Sequence, residues 1–325
     1  MDIENALSDL REQMPGLEIL ENEPMSRHCS FRAGGPARAL ILPQSIMSLS
    51  KVCSILKDNH LAPYVLGKGT NIVFPDEGTP NLLVLGTEKL QHIELLPDGS
   101  IYAESGVPLA VLASFAQQNG LAGLEFASGI PGSVGGGAIM NAGAYGGELR
   151  DVIQSVVSYY LPEQRLYELN NEQCAFGYRS SVYQTLPGNV ILSVVFHLES
   201  GDKEAIAAKM RELNERRRIK QPLDLPSAGS SFKRPVGGYA SALIEECGLK
   251  GASVGGAQVS EKHAGFIVNT GSATAKNLYE LMDHVRHVVY EKKAITLEPE
   301  VILLPPDYAL EDNMPPVSKN RPGII

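Results

Sequence analysis

The sequence predicts a protein of mixed α and β structure that binds a dinucleotide. Its length of 325 residues suggests two or three domains. Helical and strand periodicities alternate along the chain, with turn residues between them. The third observation is a glycine-rich segment at 128–147, in which eight of twenty residues are glycine. Because glycine lets backbone N–H groups approach a bound group closely, this segment predicts a packed, buried loop that holds a nucleotide pyrophosphate.

The composition excludes several classes of protein. A net charge of −9 argues against a general nucleic-acid-binding role. No run of about 18 apolar residues occurs, and the acidic N-terminus is unlike a signal peptide, so we expect a cytoplasmic protein without membrane insertion. The four cysteines are scattered without a CxxC pair, which predicts reduced thiols rather than disulfides or a zinc site.

The first part of the chain has the periodicity of a β-α-β-β unit that follows an N-terminal helix. Pro15 and Gly16 end that first helix, which we expect at 2–14. The elements expected after it are a strand at 39–42, a helix at 45–59 and strands at 63–66 and 72–74, and a strand at 82–85 closes the unit.

Strands and helices continue to alternate to residue 304. Asp98-Gly99 predicts a hairpin. His284 and His287 lie one turn apart on the last expected helix, but no third ligand is nearby, so we predict no metal site. The expected strands are 92–96, 101–104, 156–161, 166–169 and 190–197, and the expected helices are 108–119, 203–219, 239–247 and 273–292. The segment 295–304 is expected to end the folded part.

A second glycine loop, GKGTN at 67–71, begins like the GxGxxG fingerprint of dinucleotide-binding proteins. The match fails because position 72 is isoleucine and because a strand, not a helix, is expected to follow. A glycine loop between two strands can still present N–H groups to phosphate, although an ordinary turn is the alternative.

The helix expected at 203–219 ends in a basic run, from Arg216 to Lys220. Two interpretations are open. Positive charge at a helix C-terminus opposes the helix dipole favourably. Alternatively, the run binds the phosphates of a substrate.

Six segments taken together resemble the UDP-N-acetylenolpyruvoylglucosamine reductase (MurB) family. Each one is a weak signal, but all six in this order are highly specific. The interval from Arg179 to Ser230 is 51 residues, since 230 − 179 = 51, and so the chain resembles the shorter type II subclass, which lacks a tyrosine-bearing loop over the site. The segments are LGKGTN (66–71), SGIPGSVGG (128–136), NAGAYG (141–146), FGYRSS (176–181), SAGSSFKRP (227–235) and LEPEV (297–301).

The resemblance implies an α+β fold. A two-part FAD-binding region of the p-cresol methylhydroxylase/vanillyl-alcohol oxidase type is followed by a C-terminal α+β substrate domain. The implied boundaries are 1–88 and 89–219 for the two FAD-binding subdomains, 220–304 for the substrate domain and 305–325 for an extended tail.

The resemblance also implies the activity: NADPH-dependent, FAD-mediated reduction of UDP-N-acetylglucosamine enolpyruvate to UDP-N-acetylmuramate in peptidoglycan precursor synthesis, by a monomer. The catalytic residues it implies are Arg179, Ser230 rather than Ser231, and Glu300. The substrate contacts it implies are Tyr178, Lys220, Lys233 and His263. Arg234 stands where many members have asparagine, so we expect the contact there to differ.

The FAD is expected to be held non-covalently by the two glycine loops. The contact residues implied are Gly67, Lys68, Gly69, Thr70, Asn71, Ser128, Gly129, Pro131, Gly132, Ser133, Gly135, Gly136, Asn141, Gly143 and Ala144.

The chemistry assigns a task to each catalytic residue. Hydride addition leaves negative charge on the substrate carboxylate, where Arg179 would stabilise it. Glu300 would share that hydrogen-bond network, as an acid if its site raises its pKa, and Ser230 would donate the proton. Two alternatives remain: a flavin-dependent alcohol oxidase, which would often tether FAD covalently, and a nucleotide-sugar sensor without turnover.

Overall fold

The computed structural model describes residues 3–186 and 188–305, so the tail expected to be extended lies, beyond Pro305, outside the described residues. The helices are α1 Ile3–Gln13, α2 Ile46–Asp58, α3 Leu109–Gln118, α4 Val134–Met140, α5 Lys203–Lys220, α6 Ala240–Glu246 and α7 Ala275–Lys293. The strands are β1 Glu18–Pro24, β2 Pro36–Leu42, β3 Tyr64–Leu66, β4 Ile72–Val73, β5 Thr79–Gly86, β6 Ile93–Leu95, β7 Ile101–Glu104, β8 Leu121–Ala122, β9 Gly143–Ala144, β10 Gly147–Glu148, β11 Ile153–Tyr160, β12 Arg165–Asn170, β13 Asn189–Phe196, β14 Glu199–Ser200, β15 Ser253–Val254, β16 Ala257–Val259, β17 Ile267–Asn269 and β18 Ile302–Leu303.

The first sheet has the order β1-β2-β5-β3 and carries helix α2 on one face. Strands β2, β5 and β3 are parallel, whereas β1 is an antiparallel edge strand. The sequence analysis missed β1, whose residues EILENEP include three glutamates and no fully buried side chain. Such an edge strand lacks the apolar alternation that identifies a half-buried strand.

The second sheet is antiparallel, with the order β12-β11-β13-β7-β6. Its core lies against α3 and α4, where Leu109, Leu112 and Val134 are fully buried. The hairpin expected at Asp98-Gly99 is present between β6 and β7. This arrangement places the glycine-rich segment directly on the sheet.

The C-terminal part packs α6 and α7 against the small sheet β15-β16-β17. Thr274 begins α7 with a capping box, and Asp76 accepts hydrogen bonds from the N–H groups of Ala275 and Lys276 at 2.7 and 2.8 Å. Strand β18 pairs in parallel with β4, so the end of this part rests on the first part. The domain boundaries given above stay predictions.

Two expected elements differ in the structure. The segment at 128–147 is not only a packed loop, because it contains the helix α4 and the strand pair β9–β10. The segment 295–304, expected to end the folded part, forms a strand only at Ile302–Leu303, where its partner β4 has two residues. In both places the neighbouring elements decide the local structure.

Candidate functional site

The two predicted glycine loops lie against each other. A Cβ atom added at Gly67 would lie 2.6 Å from Ser133 Oγ and 4.0 Å from the backbone nitrogen of Gly136. A Cβ atom at Gly132 would lie 3.8 Å from Thr70 Oγ1. The loop at 67–71 and the start of α4 therefore form the two sides of one site, although they are far apart in the sequence.

This site presents unpaired hydrogen-bonding groups. Ser133 is the N-cap residue of α4 but makes no capping hydrogen bond, and its buried Oγ has no partner among the described residues. Within 3–186 and 188–305, the N–H groups of residues 68–71 donate no hydrogen bond. Buried polar groups are rarely left without a partner, and N–H groups that face a concavity suit a pyrophosphate.

The space beside these groups is open. A Cβ atom at Gly136 would meet nothing closer than Ser133 Oγ at 3.6 Å, and one at Gly132 nothing closer than 3.5 Å. A cleft of about 210 Å³ continues past Gly67 and Lys68 toward Ser30 and Glu88. The arrangement is therefore open to a ligand that approaches the backbone.

Other predicted contact glycines are needed for packing. Gly69 has φ +59° and a Cβ atom there would lie 1.8 Å from the carbonyl oxygen of His28. A Cβ atom at Gly135 would lie 2.8 Å from Ser105 Cβ. At Gly129 it would lie 2.4 Å from Asn214 Oδ1. Protein, not ligand, fills the space behind these three positions, so a side chain at any of them would have to displace its neighbours.

The Asn141 side chain, expected to contact the cofactor, has protein partners instead. It is fully buried, and its Nδ2 donates to Glu148 Oε2 and to the carbonyl oxygen of Gly177, both at 2.9 Å. Its φ of +42° ends α4 in the left-handed conformation that asparagine tolerates. Asn141 thus braces the turn that carries Arg179.

Arg179 occupies that turn with φ +53°, a conformation that is uncommon outside glycine. Gly177 and Ser180 close the turn with two mutual backbone hydrogen bonds of 3.0 and 3.2 Å. The guanidinium donates from Nε to Glu300 Oε1 at 2.6 Å and from Nη2 to the carbonyl oxygen of Gly143 at 3.1 Å. Strained residues of this kind are concentrated at functional sites, and here the strain fixes the place of a cation.

Glu300 joins three parts of the chain. Its N–H donates to Ser231 O at 3.0 Å, its carbonyl oxygen accepts from Asn71 Nδ2 at 2.9 Å, and its carboxylate binds Arg179. Burial raises the pKa of Glu300, while Arg179 and then Lys233 lower it in part. The raised pKa agrees with the expectation that this carboxyl holds a proton more readily than an exposed one.

The two adjacent serines have opposite environments. Ser231 is fully buried, and its Oγ accepts from the N–H of Ile267 at 3.0 Å. Ser230 is exposed, and its hydroxyl makes no hydrogen bond to any described residue. Because neighbouring residues of an extended chain point to opposite sides, only Ser230 is available to a substrate. This agrees with the choice of Ser230 over Ser231 as the candidate proton donor.

Two expected substrate contacts lie beside this cluster. Tyr178 is exposed, and its hydroxyl accepts from the N–H of Arg234 at 3.1 Å. The Arg234 guanidinium lies 5.9 Å from the Tyr178 ring centroid and 4.7 Å from that of Tyr239. Lys233 pairs with Glu298 at 2.5 Å. The SAGSSFKRP and LEPEV segments therefore line one surface together with the FGYRSS turn.

The other two expected contacts, Lys220 and His263, lie within electrostatic reach of each other. Lys220 is exposed at the end of α5. Burial lowers the pKa of His263, and the positive charges of Lys250 and Lys220 lower it further. Lys220 therefore brings positive charge to the edge of the C-terminal part, whereas the lowered pKa of His263 favours its neutral form.

Arg217 has a different role from the one expected for the basic run. It is 9% exposed, and its Nη1 donates to the carbonyl oxygen of Gly129. Its guanidinium and that of Arg216 lie over the Tyr145 ring, at 5.7 and 4.9 Å from the centroid. Arg217 therefore supports the glycine-rich segment from behind, and no local pattern in the sequence indicates this contact.

Two kinds of feature are absent from the described residues, 3–186 and 188–305. In that part of the chain, no group of three His, Cys, Asp or Glu residues is arranged to hold a metal ion. No helix in 3–186 or 188–305 is long and apolar enough to cross a membrane.

Comparisons with known proteins identify related families. A model of an FAD-binding domain matches residues 37–161, and the model of the UDP-N-acetylenolpyruvoylglucosamine reductase C-terminal domain matches residues 221–304. The chain is 44% identical over 294 residues to the UDP-N-acetylenolpyruvoylglucosamine reductase of Caldanaerobacter subterraneus, covering 90% of this chain and 95% of that one. It is 43% identical to the reductase of the same name from Clostridioides difficile, over 89% of this chain and 94% of the relative.

A solved structure has the same architecture. The crystal structure of the reductase from Thermus caldophilus matches with a TM-score of 0.75 and 33% identity, covering 89% of this chain and 99% of that one. Together with the FAD-binding family model, this match confirms the expected fold class and the FAD cofactor. The Ser133 hydroxyl and the N–H groups of residues 68–71 fit such a cofactor, because both are polar groups left without a protein partner.

Proposed function

Because the chain belongs to the UDP-N-acetylenolpyruvoylglucosamine reductase family, we propose that it reduces UDP-N-acetylglucosamine enolpyruvate to UDP-N-acetylmuramate with NADPH, for peptidoglycan precursor synthesis. The observation that carries this proposal is the ion pair between Arg179 and Glu300 beside an exposed Ser230. The proposed reaction adds a hydride to the terminal carbon of the enolpyruvyl group and a proton to the adjacent carbon, so that the double bond becomes a single bond.

FAD supplies the means to accept two electrons as hydride from a nicotinamide and to pass them to an alkene. The residues that would hold its pyrophosphate are Ser133, Gly136 and the backbone of 68–71, which face one open space. Gly132 and Thr70 would line the same space. The closeness of Gly69, Gly129 and Gly135 to other protein atoms keeps these backbone groups in place.

Arg179 would stabilise the negative charge that develops on the substrate carboxylate. Its guanidinium is already held by Glu300 and by the carbonyl oxygen of Gly143, so little reorganisation is needed when the charge forms. A planar guanidinium also suits two-point binding of a carboxylate. The raised pKa of Glu300 favours a shared proton in this network.

Ser230 would donate the proton to the carbon next to the carboxylate. Its hydroxyl is exposed to the site and is not committed to another described residue. Ser231 cannot take this role because its side chain is fully buried, with its Oγ against the backbone of Ile267. A serine is a weak acid, so the step depends on orientation toward a strongly basic carbon.

Positive charge at Lys220, with His263 next to it, would bind the diphosphate of the substrate. Tyr178, Lys233 and Arg234 would contact the part of the substrate nearer the reacting carbons. The remaining expectations, a cytoplasmic location and a monomer, stay predictions.

The proposal is tested with the purified protein under anaerobic conditions. We expect a yellow protein whose flavin absorbance is bleached by NADPH and restored by UDP-N-acetylglucosamine enolpyruvate, with one UDP-N-acetylmuramate formed per NADPH. Bleaching without recovery would contradict the assigned substrate. Flavin that stays with the denatured protein would favour the covalently tethered oxidases, and the absence of any NADPH consumption would favour a sensor.

A further inference from the structure

We propose that the Asn71 side chain positions Glu300, so that the loop facing the nucleotide also sets the place of the catalytic carboxyl. Asn71 was expected to contact the cofactor, but its Nδ2 donates to the carbonyl oxygen of Glu300 at 2.9 Å. The two residues are 229 positions apart in the sequence. The inference rests on the function proposed above, because it assigns a positioning residue to that reaction.

The backbone on either side shows why this hydrogen bond matters. Ile302 donates its N–H to the carbonyl oxygen of Asn71 at 2.9 Å, and this bond begins the parallel pairing of β18 with β4. Each of these strands has only two residues. A pairing this short holds its register weakly by itself. The side-chain amide of Asn71 adds a hydrogen bond just before this pairing begins, to the carbonyl oxygen of Glu300.

Glu300 is held from its other side by the C-terminal part. Its N–H donates to Ser231 O at 3.0 Å, and Ser231 is the direct neighbour of Ser230. The segment from 298 to 300 therefore lies between the candidate proton donor and the glycine loop. A shift of this segment away from Asn71 would move the carboxylate relative to Arg179, to which it is bound at 2.6 Å.

Loss of the Asn71 amide is expected to lower a reaction rate rather than to release FAD. Misplacement of a catalytic group by about 1 Å lowers a rate by about 100-fold. The backbone N–H groups of 68–71, which are proposed to hold the nucleotide, do not involve the Asn71 side chain. We therefore expect removal of the amide to slow the substrate half of the reaction while FAD binding and reduction by NADPH continue.

Two variants and one control test this assignment. Asn71→Ala removes the side chain, and Asn71→Asp keeps its shape but removes the donor. Tyr279→Phe is the matched control, because the Tyr279 hydroxyl donates to Leu304 O at 2.8 Å and so anchors the same terminal segment away from Glu300. Loss of a neutral hydrogen bond costs about 1 kcal/mol of stability in each case, so thermal unfolding should change to a similar extent.

In both Asn71 variants, we expect substrate-dependent recovery of the flavin absorbance to slow by about 10- to 100-fold. In Asn71→Ala, the FAD dissociation constant and the rate of bleaching by NADPH should stay within about twofold of wild type, and KM for the substrate should change less than kcat. Tyr279→Phe should recover at the wild-type rate.

Three outcomes would overturn the assignment. One is wild-type recovery in Asn71→Ala. Another is loss of FAD affinity in Asn71→Ala, which would show that the amide contacts the cofactor. The third is equal slowing in Tyr279→Phe, which would show general loosening of the segment. A wild-type protein that does not recover would instead contradict the proposed function.

Discussion

The side of the site that is proposed to bind the nucleotide is made of backbone, whereas the side that is proposed to carry out the reaction is made of side chains. Around Gly67 and Gly136, the N–H groups and close approach of two loops define the site. Around Glu300, the defining groups are a guanidinium, a carboxyl and a hydroxyl from three distant segments. The backbone side should therefore be disrupted by substitutions that add atoms, and the side-chain side by substitutions that remove them. Each side therefore has its own diagnostic substitution.

The largest expected effect follows from adding atoms where the protein leaves room. Gly136→Val places its branch in the open space next to Ser133 Oγ, 3.6 Å away, without a protein clash at Cβ. We expect the FAD dissociation constant, measured by flavin fluorescence, to rise by at least about 100-fold, since displacement of a pyrophosphate from several hydrogen bonds costs more than about 2.8 kcal/mol.

Gly16→Val is the control for this substitution, because a Cβ atom there meets nothing within 4 Å and its φ is not in the left-handed region. It should bind FAD as wild type does. Gly69→Val differs from both, because its Cβ would collide with the backbone of His28, and we expect that variant to misfold. Full FAD occupancy in a folded Gly136→Val protein would show that the FAD pyrophosphate does not bind beside Gly136.

A smaller effect is expected at Lys220, which lies at the outer edge of the reaction side. Lys220→Ala should raise KM for the enolpyruvyl substrate about tenfold and leave kcat within about twofold, because a remote phosphate is bound similarly in the ground and transition states. Lys209→Ala on the same helix is the control, since Lys209 pairs with Glu212 at 2.9 Å. Equal KM values in the two variants would indicate that the basic run only stabilises the end of the helix, by opposing its dipole.

The adjacent serines separate stability from catalysis. Ser231→Ala should lower the free energy of unfolding by about 1–3 kcal/mol, because the buried N–H of Ile267 loses its acceptor. Ser230→Ala should change it by less than about 0.5 kcal/mol, as expected for an exposed side chain. Chemical denaturation of both variants measures this contrast, and a reversed order would mean that the two hydroxyls have been assigned to the wrong environments.

The smallest effect is a pH dependence at Glu300. Burial raises its pKa above the ordinary 4.5 in the folded protein. The folded state then binds the proton more tightly than the unfolded state, so the protonated group favours folding at acid pH and this benefit is lost as pH rises through the folded pKa. The stability of wild type relative to Glu300→Gln should therefore fall between acid and neutral pH.

Denaturation of the two proteins across that pH range measures this change. A difference that grows in favour of wild type as pH rises would show that the ion pair with Arg179 outweighs burial. That result would mean that Glu300 stays ionised across this pH range. It would then not share a proton in the proposed hydrogen-bond network.

The glycine-rich segment of the proposed nucleotide side could be found in the sequence because its signal is local. Glycine composition alone indicates a close-approach segment at 128–147. It did not predict α4, because three consecutive glycines each cost a helix about 1 kcal/mol relative to alanine. The helix forms where Val134 and Ala138 are buried against the second sheet and where a Cβ atom at Gly137 would crowd Leu149. Only the tertiary structure supplies those contacts.

The reaction side could not be assembled from local patterns. Arg179 and Glu300 are 121 positions apart, and without the family resemblance nothing near either residue indicates the other. The contacts of Asn71, Asn141 and Arg217 were missed for the same reason, since each side chain bonds to the backbone of a distant or separate segment.

The central claim is that the exposed Ser230 acts on the substrate carbon after hydride has been delivered. Stopped-flow absorbance of Ser230→Ala tests it directly, one half-reaction at a time. We expect bleaching by NADPH at a near-wild-type rate and recovery with UDP-N-acetylglucosamine enolpyruvate slowed by about 10²- to 10⁴-fold, the usual contribution of a general acid. Slow bleaching with normal recovery would contradict the account and would place Ser230 at the nicotinamide or the flavin instead.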